Sequence, residues 1–134
     1  MTLFKLLLQS SGLSLREAAE LLNSRIDTIK SWSSGRNNAP DGVLYEMSEI
    51  IDNLEDQALN VYSHIQNHPN AERYEIGYCA DDEEARSLGF RCKSLHDAAL
   101  RRVLEYCEEE EREKLVLVPR GSTAGTAAAI DQHE

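Results

Sequence analysis

Residues 14–35 of this 134-residue chain read SLREAAELLNSRIDTIKSWSSG and decide its fold. They predict two short helices joined by a tight turn. Residues 14–17 form a capping box, in which the serine hydroxyl accepts from the amide three residues on and the glutamate reaches back to the cap. Residues 24–27 repeat the pattern and predict the start of the second helix. Asn23 lies where the chain reverses, and asparagine tolerates the left-handed conformation required there.

The helical period divides this stretch into an inner and an outer face. The inner face contains small and apolar residues, namely Ala18, Ala19, Leu21, Leu22, Ile29 and Trp32. Small residues allow one helix to approach another closely, as a tight turn requires. The outer face of the second helix is expected to contain Arg25, Ile26, Asp27, Lys30 and Ser31. Gly35 is suited to ending this helix in a left-handed conformation.

The pattern LxxxEAAELLNxxxxTIKxWxxGR resembles the helix-turn-helix of the Cro/repressor-like (XRE-type) DNA-binding family. Over residues 11–43 it is most similar to small phage and plasmid autorepressors, including anti-CRISPR-associated regulators. Leu15 stands where this family usually has Gln, and Asn23 replaces the usual turn Gly. The resemblance implies a sequence-specific transcriptional repressor of phage or mobile-element origin that binds double-stranded DNA.

The resemblance also implies that the second helix enters a major groove. There Arg25 would donate to guanine O6 and N7, Ile26 would pack on a thymine methyl group, and Asp27 would accept from cytosine N4. Asp27 has an equally favoured alternative role, which is to complete the capping box, and Ser31 fits either a base or a phosphate. Phosphate contacts are expected from Ser14, Arg16, Lys30, Arg36, Asn37 and Asn38.

The charge of the chain does not exclude a nucleic-acid partner. The net charge is -10, but residues 1–40 carry five Lys or Arg against three acids, whereas residues 41–70 carry six acids and no Lys or Arg. A locally positive face can still bind a phosphate backbone. The rival hypothesis is a protein-interaction module whose acidic surfaces at residues 41–56 and 105–113 bind a basic partner. An antitoxin would combine both hypotheses, with a toxin bound by the C-terminal unit and DNA by the N-terminal one.

Two further helices complete the predicted N-terminal domain, residues 1–68. Thr2 can cap a helix over residues 3–10, and a long helix is expected over residues 41–68. Apolar residues recur along the long helix with a period of 3.5, at Met47, Ile51, Leu54, Ala58, Val61 and Ile65. We expect the far end of this seam to be available to a second subunit. A homodimer would bind two half-sites of an inverted-repeat operator.

Residues 71–114 are expected to form a small α+β unit that supports dimerisation, so the fold class is mainly α. Residues 73–78 alternate polar and apolar side chains and are the only strand candidate. A short helix is predicted over residues 81–87, with acids at its N-terminus. A third capping box at residues 94–97 predicts a helix that continues to Lys114.

The last twenty residues contain a cleavage-site motif typical of expression vectors. Residues 117–122 read LVPRGS, the thrombin cleavage site of expression vectors. The small-residue sequence that follows has no period. Residues 115–134 are therefore interpreted as an expression-tag remnant without ordered structure.

The sequence contains no motif that indicates catalysis, cofactor binding or a membrane span. The chain has no phosphate-binding glycine loop and no nucleophile elbow, so no catalytic residue and no cofactor is predicted. Cys79, Cys92, His96 and Cys107 are the only conceivable metal set, and the cysteines are better interpreted as buried free thiols than as zinc ligands, because no close CxxC pair is present. No apolar run approaches the roughly 18 residues of a membrane span. The sparse cysteines favour the cytoplasm, where a repressor would associate with the nucleoid.

Overall fold

The structure, a computed structural model, describes residues 1–120. Its helices are α1 (Leu3–Ser11), α2 (Leu15–Leu21), α3 (Ile26–Ser34), α4 (Asp41–Gln66), α5 (Asp82–Ser87), α6 (Lys93–Tyr106) and α7 (Glu109–Lys114), and its strands are β1 (Tyr74–Tyr78) and β2 (Leu115–Pro119). The predicted mainly α class is confirmed. The contacts divide the chain into two compact units, Met1–Asn53 and a second unit that begins at Leu54, so the boundary falls inside α4.

Thr2 connects the start of α1 to the end of α3 through its side chain. Its Oγ1 atom accepts from the Lys5 amide at 3.0 Å and so caps α1, as predicted. The same hydroxyl lies 3.0 Å from the carbonyl oxygen of Ser33, to which it donates. Phe4 of α1 meets Trp32 of α3 edge to face, with ring centroids 5.5 Å apart. The N-terminus of α1 is thereby attached to the C-terminus of α3.

The core of the first unit contains half of the predicted inner face: Ala18, Ala19 and Ile29 are buried, whereas Leu21, Leu22 and Trp32 are half-buried. Ala18, Ile29 and Met47 have no measurable exposure. The other buried apolar residues of this unit are Phe4, Leu8, Leu13, Ala19 and Ile51. The paired alanines of α2 allow α3 to lie close by, because a larger side chain would separate the helix axes.

The far half of the α4 seam is buried within its own chain. Leu54, Ala58, Val61 and Ile65 are at most 2% exposed. The expectation that these residues are available to a second subunit is therefore wrong. A period near 3.5 indicates only that one face of a helix is covered, and residues of the same unit can cover it as well as a partner can.

The second unit contains a parallel sheet, with Tyr74 opposite Leu115 and Tyr78 opposite Pro119. Helices α5 to α7 form the crossover that parallel strands require. The predicted strand at residues 73–78 is confirmed. The expected lack of structure from residue 115 is wrong for β2, because Leu-Val-Leu-Val is a strong strand sequence that pairs with β1. Residues 121–134, the rest of the predicted tail, lie outside the described residues.

The predicted start and end of the last long helix are both wrong. The N-cap of α6 is Cys92, and no side chain of the same helix caps it. The first helical amide, at Lys93, instead donates to Oδ1 of Asp82 at 2.8 Å. The helix ends at Tyr106 because Cys107 has an extended ψ of 139°. A separate helix, α7, then begins at a reciprocal capping box between Glu108 and Glu111.

The predicted acidic start of α5 is confirmed. Oδ1 of Asp81 accepts from the Glu84 amide at 2.9 Å, and Oε1 of Glu84 accepts from the Ala80 amide at 3.0 Å. Across residues 1–120, no helix is both long enough and apolar enough to cross a membrane.

Candidate nucleic-acid interface

Both ends of α2 have the local structure that the sequence predicts. The first capping box is confirmed: the Glu17 amide donates to Oγ of Ser14 at 3.1 Å, and the Ser14 amide donates to Oε1 of Glu17 at 2.9 Å. At the other end of α2, Asn23 has a φ of 52° and is the one non-glycine residue among those described with positive φ. The predicted left-handed asparagine is therefore confirmed.

The second capping box does not form. The Ser24 hydroxyl donates to the carbonyl oxygen of Leu22 at 3.2 Å, and its amide donates to that of Ala19 at 2.9 Å. Both bonds point back to α2, so Ser24 belongs to the end of that helix. Arg25 becomes the N-cap of α3 without a side-chain cap bond. Asp27 is thus an exposed acid in the first helical turn, where it complements the helix dipole.

The outward face of α3 contains most of the predicted readers. Arg25, Asp27 and Lys30 are exposed, and Ile26 is half-buried. Ser31 differs, because it is only 4% exposed and its hydroxyl donates to the carbonyl oxygen of Thr28 at 2.9 Å. Its predicted place on the outer surface is wrong. Ser31 follows Thr28 by three positions, so the two lie on one face of α3, on which Ser31 is buried and Thr28 is half-buried.

A hollow of about 470 Å³ brings Arg16 of α2 together with Ile26 of α3. Glu20, Asn23 and Ser24 also line it. The sequence predicts a phosphate contact for Arg16 and a base contact for Ile26, and the hollow places the two side chains around one concave surface. Glu20 is an acid on the same surface, and it would repel a phosphate that approached from that side.

Lys30 lies with a different set of residues. A second hollow of about 300 Å³ contains Lys30 together with Lys5, Gln9 and Leu15. Lys5 and Gln9 are exposed on α1, and they are absent from the contacts predicted by the sequence. The signal that could have identified them is the polar edge they give an otherwise apolar helix.

The predicted phosphate contacts after α3 surround its C-terminus. Asn37 and Asn38 line a hollow of about 310 Å³ with Thr2 and Trp32. Arg36 is exposed, and its amide donates to Oγ of Ser34 at 3.3 Å. The chain can leave α3 in this direction because Gly35 has a φ of 85°. Ser14 and Arg16, at the start of α2, are also exposed.

The exposed residues around α3 offer hydrogen-bond donors. Exposed guanidinium, ammonium and amide groups can bind phosphate oxygens and base edges. Within residues 1–120, no three His, Cys, Asp or Glu side chains are placed to hold a metal ion. Cys79 and Cys107 are buried thiols, and burial raises the pKa of Cys107.

Comparison of the sequence with protein-family models and with curated proteins gave no match.

Proposed function

We propose that the protein is a sequence-specific DNA-binding repressor that inserts the N-terminal half of α3 into a major groove. The observation that supports this best is the combination of a rigid support with an exposed polar face. A capping box fixes the start of α2, and a left-handed asparagine and two hydrogen bonds from Ser24 back to α2 fix the α2–α3 turn. Arg25, Asp27 and Lys30 project from α3 into solvent.

In this proposal Arg25 reads a guanine. Its backbone serves as the N-cap of α3, but its exposed side chain makes no cap bond that would restrict it. A guanidinium at the start of a groove-bound helix can donate two parallel hydrogen bonds to O6 and N7. Ile26, with its half-buried side chain, supplies an apolar contact for a thymine methyl group, and Asp27 accepts from cytosine.

The phosphate contacts come from three places around α3. Ser14 and Arg16 lie at the start of α2, Lys30 lies beside Lys5 of α1, and Arg36 with Asn37 and Asn38 follows the helix. We add Lys5 to the set predicted from the sequence, because it shares a hollow with Lys30. Contacts on both sides of a helix fix its register in the groove without reading sequence.

The functional unit is a homodimer on an inverted-repeat operator, that of the protein's own promoter in a phage or other mobile element. Two copies of α3 would enter major grooves about 34 Å apart. Since the far half of the α4 seam is buried in its own unit, the subunit contact comes from other residues after Asn53. The protein would then act in the cytoplasm, on the nucleoid.

Selection of binding sites from random duplexes tests the readers. Arg25→Ala should cost about 1–3 kcal/mol at one base pair and relax the preference there. Arg86, another exposed arginine, lies on α5, and Arg86→Ala is the matched control that should leave the preference unchanged. The same selected motif for wild type and Arg25→Ala would remove Arg25 from the readers.

The salt dependence of affinity tests the phosphate contacts. Lys30→Ala and Lys5→Ala should each weaken binding to all sequences and reduce the slope of log K against log salt by about one. An unchanged slope would remove that lysine from the set. Sedimentation that gives only monomer at high micromolar concentration would refute the two-half-site arrangement.

A further inference from the structure

A cavity of about 570 Å³ lies in the second unit, between α6 and one face of the sheet. Its apolar wall consists of Leu100 and Leu104 of α6 and Leu115 and Leu117 of β2. Leu104 is 45% exposed and Leu117 is 54% exposed. The volume falls in the range of small-molecule sites, which are lined mostly by apolar side chains with a few polar groups.

Cations surround this apolar wall. The ammonium group of Lys93 lies 2.8 Å from Oδ2 of Asp97, so these two charges largely compensate each other. Arg101 is exposed, and within residues 1–120 its guanidinium makes no hydrogen bond or ion pair. Arg112 also lines the cavity, and its Nε atom donates to the carbonyl oxygen of Cys107 at 3.2 Å.

Among residues 1–120, two arginines that make no ion pair therefore line an apolar cavity in a chain whose net charge is -10. The charge around the cavity is positive, whereas the net charge of the whole protein is negative. The overall charge of the protein would favour binding of cations, so a preference of this cavity for anions would have to come from its own arginines. Guanidinium groups match the planar geometry of a carboxylate and are more weakly hydrated than ammonium groups. Exposed leucines beside them offer a surface from which an aliphatic chain would displace water.

We propose that this cavity binds a small amphipathic anion, an unbranched aliphatic carboxylate, with its chain on Leu100 and Leu104 of α6 and its head group at Arg101 and Arg112. Leu117 also lines the cavity, but it is the first residue of the LVPRGS hexapeptide and is not assigned to the site. The site is separate from the α2–α3 face, so the inference stands whether or not the protein binds DNA. It assigns the second unit a ligand-binding role that the proposed repressor function does not require.

Isothermal titration calorimetry on the full chain tests this with sodium hexanoate, octanoate and decanoate. Each added CH₂ group should tighten binding by about fourfold, the equivalent of about 0.8 kcal/mol. Decanol and decyltrimethylammonium bromide should bind at least about tenfold more weakly than decanoate, because decanol has no negative charge to pair with a guanidinium group and the quaternary ammonium is repelled by it. Affinity that is independent of chain length, or equal for the cation and the carboxylate, would overturn the proposal.

Two variants with matched controls locate the site. Arg101→Gln and Leu104→Gln should each weaken decanoate binding by about tenfold. Arg86→Gln on α5 and Leu59→Gln on α4 are comparably exposed residues outside the cavity, and they should leave binding unchanged. Since all four side chains are exposed, circular dichroism should show the same fold in every variant.

The same variants separate a ligand from a second copy of the chain. If decanoate does not bind while Leu104→Gln converts a dimer to a monomer in sedimentation, the leucine wall is a subunit contact and the proposal is wrong. Equal losses in the cavity variants and in the controls would also overturn it.

Discussion

Alanine at Gly35 should destabilise the first unit by more than backbone strain alone explains. Gly35 has a φ of 85°, and a Cβ atom placed there would lie 3.2 Å from Cγ2 of Thr2. The left-handed conformation costs a non-glycine residue about 1–2 kcal/mol. Crowding against a side chain held by its own hydrogen bonds adds to this, so Gly35→Ala should cost about 2–3 kcal/mol in total.

Two other glycines separate these contributions. Gly89 has a φ of 92°, and a Cβ atom placed there would meet open space, so Gly89→Ala should cost only the conformational 1–2 kcal/mol or so. Gly42 lies in the first turn of α4 with nothing within 4 Å, so Gly42→Ala should stabilise the protein by about 0.5–1 kcal/mol. The difference between Gly35→Ala and Gly89→Ala measures the contact with Thr2.

Urea unfolding followed by fluorescence and far-UV circular dichroism is the assay. Trp32 is the only tryptophan of the chain, so its fluorescence reports on the first unit. Thr2→Ser keeps the capping hydroxyl and removes Cγ2. In the Gly35→Ala background it should therefore recover about 1 kcal/mol. If Gly35→Ala costs no more than Gly89→Ala, or if Thr2→Ser recovers nothing, the steric reasoning is wrong.

Three further predictions concern pH, capping and the core. A hydrogen bond to Glu111 raises the pKa of Tyr62 to about 12 from the ordinary 10.0, so its contribution to stability is complete below pH 10 and is lost as the pH rises toward 12. Urea midpoints measured from pH 8 to 11.5 should fall less steeply in Tyr62→Phe than in wild type, and parallel curves would contradict this origin. Ser14→Ala should cost about 1 kcal/mol because the Glu17 amide loses its acceptor. Thermal unfolding checks this, and an unchanged midpoint would show that the cap contributes nothing. Ile29→Ala, at a position with no exposure, should cost about 2–5 kcal/mol in urea unfolding. A loss under 1 kcal/mol or so would mean that the site collapses around the smaller side chain.

The capping boxes show where sequence reasoning succeeds and where it fails. The same four-residue pattern occurs at Ser14, Ser24 and Ser94, and only the first forms as predicted. Ser14 follows a loop, and its hydroxyl caps α2. The hydroxyl and amide of Ser24 instead donate to carbonyl oxygens of the preceding helix and its end, so Ser24 does not cap α3. At the third site the carboxylate of Asp82, eleven residues before the amide of Lys93, takes the place of a local cap. A local motif cannot anticipate a partner that only the tertiary fold brings near.

The buried half of α4 and the second strand have a related explanation. The period of Leu54, Ala58, Val61 and Ile65 correctly predicts a covered face, but a period does not identify what covers it. In β2 a run of strand-forming residues pairs with β1, although part of the same run also reads as a vector cleavage site and so predicts an unstructured tail. Inner-face positions such as Ala18 and Ile29 are predictable because two helices and a short turn leave few ways to pack.

The position of β2 has a consequence for proteolysis. The thrombin hexapeptide at residues 117–122 begins inside this strand, where Leu117 lies opposite Ile76 and Pro119 lies opposite Tyr78. The amide of Arg120 also donates to the carbonyl oxygen of Tyr78 at 3.0 Å. A protease acts on the transiently opened chain, so the cleavage rate follows the population in which β2 has left the sheet. Each 1.4 kcal/mol or so in the free energy of the β1–β2 pairing should slow cleavage about tenfold relative to the free hexapeptide. The rate of thrombin cleavage therefore reports how often the sheet opens.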